Sequence, residues 1–429
     1  MALNGSPAAY QTSALTTDTL LRRAILFVGM LMSGGNLILP RVGLLVFLVL
    51  LVLVARGPQM GMRRDLVPAL FLILLIFVIS IVGASTFDLA STAVRFGSFF
   101  AALLLLGQYG GRPAVTFGDD IFALGKFFAV QSIATPFLAL FVPNLFFKFI
   151  VQGTTYETFF LVFTYHELIE GLSILKRPDG FFWEPGVFNI YLNLFLFVAL
   201  FIRRNLRWSL VGLVAVLATQ STTGVVLGVA LVVIGGFRSI SQFPVAARIF
   251  AVFILPLAIA PLIVLAYTNV DSKVSGQARG SFWSRQYDLV TGLNVAMEHP
   301  LVGIGFNYQD YFDAAVRSGY RASQLDLSAA LERSNSNGIV TLMFSVGLPL
   351  SFLMLTLLFL QCMLPHRWVV AMLLFASMLS QALLTTPFFM MLLFSGTLNL
   401  RLRRSYNGRN LALPGLSAAG ASRQANAPI

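Results

Sequence analysis

Residues Lys176-Arg177-Pro178-Asp179-Gly180-Phe181-Phe182-Trp183-Glu184-Pro185-Gly186 place two cations, two carboxylates and three aromatic rings immediately ahead of a long apolar run. A guanidinium presents a planar fork of donors that matches phosphate oxygens, and the prolines and glycines shape a turn that can aim it. A carboxylate at Glu184, at the headgroup level of a membrane or slightly deeper, is costly unless it is paired or functional. The plainer reading is a turn whose Arg177 meets lipid headgroups while Trp183 anchors the interface.

A second polar region, Thr268 to Gly338, is the longest part of the chain without membrane character. It carries Arg279, Arg285, Arg317, Arg321 and Arg333 beside Asp271, Asp288, Glu298, Asp310, Asp313, Asp326 and Glu332. Phe282, Leu289, Leu293 and Met297 are spaced to share one helix face, which predicts a helix from about 282 to 298 that stops at His299-Pro300. In the following Leu301-Val302-Gly303-Ile304-Gly305 the glycines permit close backbone approach; a single G-x-G outside a strand-to-helix unit is no dinucleotide fingerprint. Glu332-Arg333-Ser334-Asn335-Ser336-Asn337-Gly338 offers polar groups for a substrate or, equally, a cap for a helix starting near Ile339. Three scattered histidines form no metal-ligand pattern. His166 reads as an interfacial polar residue, His299 as a cation at a helix end, and His366 as part of a short turn.

The elements that position these groups are apolar helices. The chain of 429 residues is 57% hydrophobic and only 11% charged, with a mean hydropathy of +0.83, which excludes an ordinary water-soluble domain. The apolar residues run continuously rather than alternating as in a membrane barrel, so the fold class is all-α and polytopic. Twelve runs are placed at about 24–39, 42–55, 66–82, 92–107, 122–142, 187–202, 206–220, 223–237, 249–267, 339–364, 368–385 and 387–400. The organisation is an N-terminal tail (1–23), spans in 24–142, a first large loop (143–186), spans in 187–267, a second large loop (268–338), spans in 339–400 and a tail (401–429), Asn/Ala/Gly/Ser-rich from Ser405 and expected to be disordered.

The N-terminus lacks the charged start and cleavage site of a signal peptide, so the first apolar run is expected to stay as an anchor. Cys362 stands alone, which excludes a disulfide-stapled ectodomain. Of the 29 basic residues the majority, including Arg22, Arg23, Arg63, Arg64, Arg203, Arg204, Arg401, Arg403 and Arg404, fall on one side of a twelve-span layout, and most of the 17 acidic residues on the other. The positive-inside rule then puts both termini in the cytoplasm and both large loops outside. The same rule explains the net charge of +12 without nucleic acid. Short interfacial helices are expected in the first loop, from Leu145, Phe146, Phe147, Phe149, Ile150 and from Phe159 to Phe163.

These motifs, in this order on two outside loops, resemble the O-antigen ligase/polymerase superfamily of bacterial envelopes. Arg177, Gly180 and Glu184-Pro185-Gly186 are similar to its arginine, glycine and acidic-Pro-Gly turn. Ser221-Thr222-Thr223-Gly224 matches a Ser/Thr-rich turn between spans but lacks the arginine often found there. Arg285 with His299 to Gly305 matches an arginine helix ending in an HPLxGxG-like turn. Ligases of the superfamily carry a His-Asn pair where this chain has Ser336-Asn337, a departure that favours the polymerase branch. The resemblance implies a multi-pass protein of the bacterial inner membrane that joins polyprenyl-diphosphate-linked oligosaccharide units, with no cofactor or metal, in a bilayer shared with a chain-length regulator and a flippase. It implies Arg177 and Arg285 as diphosphate clamps, Glu184 as base, and Lys176, Arg279, Arg333, Ser336, Asn337, Gly303 and Gly305 as substrate contacts. Transfer of finished glycan to a lipid or protein acceptor is the alternative within the family. A transporter or flippase of lipid-linked saccharide is the alternative of another class, but such folds show internal repeats and midplane sites, which this chain does not.

Overall fold

The computed structural model describes residues 16–35, 39–56, 64–86, 88–110, 112–113, 115–151, 154–166, 176–240, 280–317 and 335–398, with positions 260, 264 and 267 between them. The run expected at 249–267 lies almost wholly outside the described residues, as does the C-terminal tail.

The chain is predominantly helical: α1 (Thr17–Gly34), α2 (Arg41–Arg56), α3 (Val67–Gly83), α4 (Leu89–Tyr109), α5 (Val115–Phe141), α6 (Pro185–Phe197), α7 (Leu206–Ala218), α8 (Thr222–Ile240), α9 (Gly280–Glu298), α10 (Tyr308–Arg317), α11 (Gly338–Val346), α12 (Leu348–Phe359), α13 (Arg367–Met378) and α14 (Pro387–Phe394). Among the described residues, four stretches are long and apolar enough to cross a membrane: Arg64–Gly83, Leu89–Tyr109, Val115–Phe141 and Pro185–Ile202.

The last of these is the hub. Eighty-three per cent of the 185–202 stretch is buried, against 33–44% for the other three, and α6 packs on α5, α7 and α8. Lipid is as apolar as leucine, so in a bilayer such a hub would be held by packing and interhelical hydrogen bonds rather than by exclusion of water. Both are present. Phe195 lies directly over Gly125, Tyr191 Oη donates to Met30 O at 3.1 Å, and buried Asn189 and Asn193 donate to Val216 O (3.1 Å) and Gly224 O (2.9 Å). Those carbonyls flank the break between α7 and α8; Val216 O lies in the last turn of α7, where carbonyls lose their helical partners, and Asn193 ties the first turn of α8 to α6.

Two elements differ from expectation. The described residues between 147 and 166 form no interfacial helices but a three-stranded antiparallel meander, β1 (Phe147–Val151), β2 (Thr154–Phe159) and β3 (Phe163–His166), paired in that order. Aromatic and β-branched residues dominate it, and β2 alternates between partly and fully buried positions, the period of a strand rather than of a helix. The run expected at 339–364 is split in two at Gly347 (φ 78°). Ile304 N and Gly305 N donate to Phe344 O (2.8 Å) and Ser345 O (3.0 Å), and Leu348 N donates to Pro300 O (2.7 Å). The turn after His299 is thus threaded into a broken helix. Only glycine fits where Gly303 and Gly347 meet opposing backbone.

Candidate functional site

The turn 176–186 is held from both ends. On one side the meander binds it: Pro178 bridges Tyr165, Asp179 N donates to Thr164 O at 2.8 Å, and Tyr156 Oη donates to Trp183 O at 3.0 Å. On the other, Phe182 is fully buried and stacked on Tyr191 at 4.8 Å between centroids. Gly180 takes φ 64°, and a side chain there would press on Phe188 and Gln131. Pro185 then starts α6 with φ already suited to a first helical turn.

Glu184 occupies the position before that helix, where a short side chain such as Asp or Ser would accept from the first backbone N–H groups. It makes no such bond. Its carboxylate turns instead to Gln381, which donates Nε2 to Oε2 at 3.2 Å, and to Arg285, whose Nη2 stands 4.0 Å from Oε1. Both partners of that ion pair are more than a third exposed, so it adds little to stability and yields readily to a ligand. Arg177 lies on the same side, its Nε donating to Thr219 O at 3.3 Å in the α7–α8 break. The Ser/Thr-rich turn that lacks its own arginine therefore receives one from the first loop. Burial lowers the Arg177 guanidinium from its ordinary value, with Asp179 and Glu184 favouring its charge and Arg285 opposing it. Lys176 reaches back over the Tyr165 ring at 5.9 Å.

Behind these groups is a buried pair that spacing did not reveal. His166 Nδ1 and Asp179 Oδ2 are 2.8 Å apart, with Asp179 fully buried and its Oδ1 meeting no hydrogen-bond partner among the described residues. Burial pushes the Asp179 carboxyl up to about 6, against the pull of His166 and Arg177. Burial also opposes charge on His166, but the hydrogen bond and charge of Asp179 outweigh it and raise His166 above 6.5. Nothing local in sequence joins the two residues; the strand pairing that sets His166 beside the turn does so. His166, read as interfacial, is 9% exposed.

Arg285 is positioned from the second loop. Asp288, one turn later on α9, accepts from Ser336 N at 3.0 Å and from Ser336 Oγ, while Asn335 Nδ2 donates to Asp288 O at 2.6 Å and Tyr311 Oη at 2.9 Å. Asn337 caps α11, accepting from Ile339 N and Val340 N at 3.1 Å each. Ser336 and Asn337 are thus engaged in docking α9 and starting α11. Gly303 spends its close approach on the 344–347 backbone and Gly305 on Ser80 and Ala84 at the end of α3, rather than on the groups around Arg177. The structure therefore brings together Arg177, Glu184 and Arg285 with His166, Asp179 and Gln381. Arg279 and Arg333 lie outside the described residues.

Two guanidinium groups beside a half-exposed carboxylate can hold an anion and accept a proton beside it. No protein-family model, curated protein or solved structure matches this chain.

Proposed function

We propose that this protein is a polysaccharide polymerase of the bacterial inner membrane, with about twelve spans, both termini in the cytoplasm and both large loops outside, acting on polyprenyl-diphosphate-linked oligosaccharide units. The observation that carries the reading is the meeting of Arg177 and Glu184, from one polar segment, with Arg285 from another far along the chain. The resemblance described above supplies the substrate class.

The acceptor sugar hydroxyl attacks the anomeric carbon of the donor. Its oxygen forms the new glycosidic bond while the bond from that carbon to the diphosphate breaks, and the diphosphate leaves with the electron pair. Arg177 and Arg285 stabilise the negative charge that grows on the leaving group, a contribution strongest in a partly dehydrated cleft. Glu184 takes the hydroxyl proton; its oxygens, turned away from the helix start, are available to do so. Lys176 adds positive charge at the rim. The buried His166–Asp179 pair holds the turn that carries Arg177 and Glu184.

Lipid-linked intermediates in a deletion strain test the reaction class. A lost polymerase leaves single repeat units on the carrier. Long chains still attached to the carrier would mean ligation instead, and unchanged lipid-linked intermediates would refute both.

A further inference from the structure

The carboxylate of Glu184 is held from the far end of the chain. α13 ends at Met378 and α14 starts at Pro387, and between them Gln381 (5% exposed), Leu383, Leu384, Thr385 and Thr386 are buried. A non-helical stretch in an apolar region must find partners for its backbone within the protein. Here Leu383 N donates to Gln381 O and Thr386 N to Leu383 O, each at 2.9 Å, and Thr386 Oγ1 donates to Leu383 O at 2.6 Å. The break is closed without the Gln381 side chain. Gln361, at the α12–α13 break, behaves otherwise: its Nε2 donates to Leu364 O and its Oε1 accepts from Leu364 N, both at 3.0 Å. Gln361 closes its own turn, whereas Gln381 gives its amide to Glu184 Oε2 at 3.2 Å.

Two glycines make room for that contact. A methyl group on Gly186, in the first turn of α6, would stand 2.7 Å from Gln381 Nε2 and 3.3 Å from Glu184 Oε1, and one on Gly338, at the start of α11, 2.7 Å from Gln381 O. Neither glycine takes a positive φ, so a side chain there would disturb the approach to residue 381 and not the backbone conformation. An amide turned to a carboxylate must present its amino group, since its oxygen would be repelled. Oε2 is therefore occupied, and Oε1, 4.0 Å from Arg285 Nη2, is the oxygen left to take a proton. We propose that Gln381 is a positioning residue for Glu184, fixing the rotation of the carboxylate so that Oε1, on the Arg285 side, receives the proton of the acceptor hydroxyl. Oε2 remains an acceptor before and after the transfer, so the contact with Gln381 survives it. This deepens the polymerase reading above and rests on Glu184 as its base.

The test is steady-state elongation of lipid-linked repeat units by purified wild type, Gln381→Met, Gly186→Ala, Glu184→Gln and the Gln381→Met/Glu184→Gln double variant. Methionine keeps the length of glutamine but cannot donate. Alanine at 186 suits a helix yet displaces the amide. Gln381→Met and Gly186→Ala should each lower kcat about tenfold to a hundredfold, the scale of a lost hydrogen bond to a charged group. KM for the lipid-linked unit should stay within about twofold, because the arginines that hold it are untouched. In the Glu184→Gln background Gln381→Met should cost nothing further, as expected of a residue that acts only through its partner. Wild-type kcat in Gln381→Met, or in Gly186→Ala where Gln381→Met does not accumulate, would overturn the proposal and leave Glu184 as base. An equal loss in both backgrounds, or a raised KM at unchanged kcat, would make Gln381 a packing residue and overturn it as well. Normal elongation by Glu184→Gln would remove the base itself, and this inference with it.

Discussion

Two polar clusters are built from the same residue types and finished differently. In the first, Asp120 is completely buried beneath α1, and Arg22, Arg23 and Tyr109 all donate to its two oxygens: Arg22 Nε at 2.6 Å and Nη2 at 3.2 Å, Arg23 Nε at 3.0 Å, Tyr109 Oη at 3.1 Å. Asp18 ties Arg22 and Arg112 into the same network. In the second, Glu184 and Arg285 stand 4.0 Å apart and half-exposed, and Arg177 bonds a backbone carbonyl rather than a carboxylate. The first cluster is closed on itself, with acids and bases mutually satisfied. The second leaves charge available to something that is not protein. That contrast, more than the presence of arginine, separates a structural network from a binding cleft.

Substitution should therefore act on different properties in the two clusters. Asp120→Ala strands buried Arg22 and should cost about 3–5 kcal/mol, read as loss of protein from the membrane fraction. Arg177→Ala should leave protein level near normal yet lower polymer formation by about 10²–10³-fold, the scale of a lost oxyanion donor. Equal loss of protein in both variants would erase the distinction. Arg285→Lys keeps the charge but not the planar fork, and should recover only a small part of the activity lost in Arg285→Ala. Full activity with lysine would reduce Arg285 to general electrostatics.

The His166–Asp179 pair makes a pH-dependent contribution whose sign is set. His166 is raised above 6.5, so its stabilisation is complete below pH 6.5 and is lost as pH rises through the folded value. Asp179, raised to about 6, retains in the folded chain a proton that the unfolded carboxyl releases near 3.8, so stability again falls as pH rises across that interval. Thermal melts of the purified protein should show stability declining from pH 6 to 8, and His166→Gln should flatten that decline. A wild-type melting temperature that climbs over this range would show the sign to be wrong. The smallest effect is expected at Asn337→Ala, which removes a helix cap worth about 1 kcal/mol and should lower the melting temperature with little change in turnover per folded molecule. Turnover lost without a change in melting temperature would return Asn337 to the substrate site.

Hydropathy located the helices well where one apolar run makes one helix, as at α3 and α6, and the face spacing of Phe282, Leu289, Leu293 and Met297 located α9 within a few residues. It failed where backbone from elsewhere completes the hydrogen bonding. The 339–364 run carries no signal of its break beyond Gly347, because the groups that stabilise the break arrive from Pro300 to Gly305. The meander was hidden by aromatic clusters that suit an interface and a strand alike. Within the cleft, Arg177, Glu184 and Arg285 could be singled out because charge beside an apolar run is conspicuous. Gln381, Thr219 and the His166–Asp179 pair could not, since their roles depend on which carbonyl or carboxylate the fold sets against them.

The most direct measurement is elongation of purified lipid-linked repeat units by the Glu184→Gln variant, with donor binding followed in the same preparation. Glutamine preserves the contact with Gln381 and the turn before α6 but cannot take a proton, so elongation should fall about 10²–10⁴-fold while donor still binds through Arg177 and Arg285. Near-normal elongation by Glu184→Gln would contradict the assignment of this carboxylate as the base.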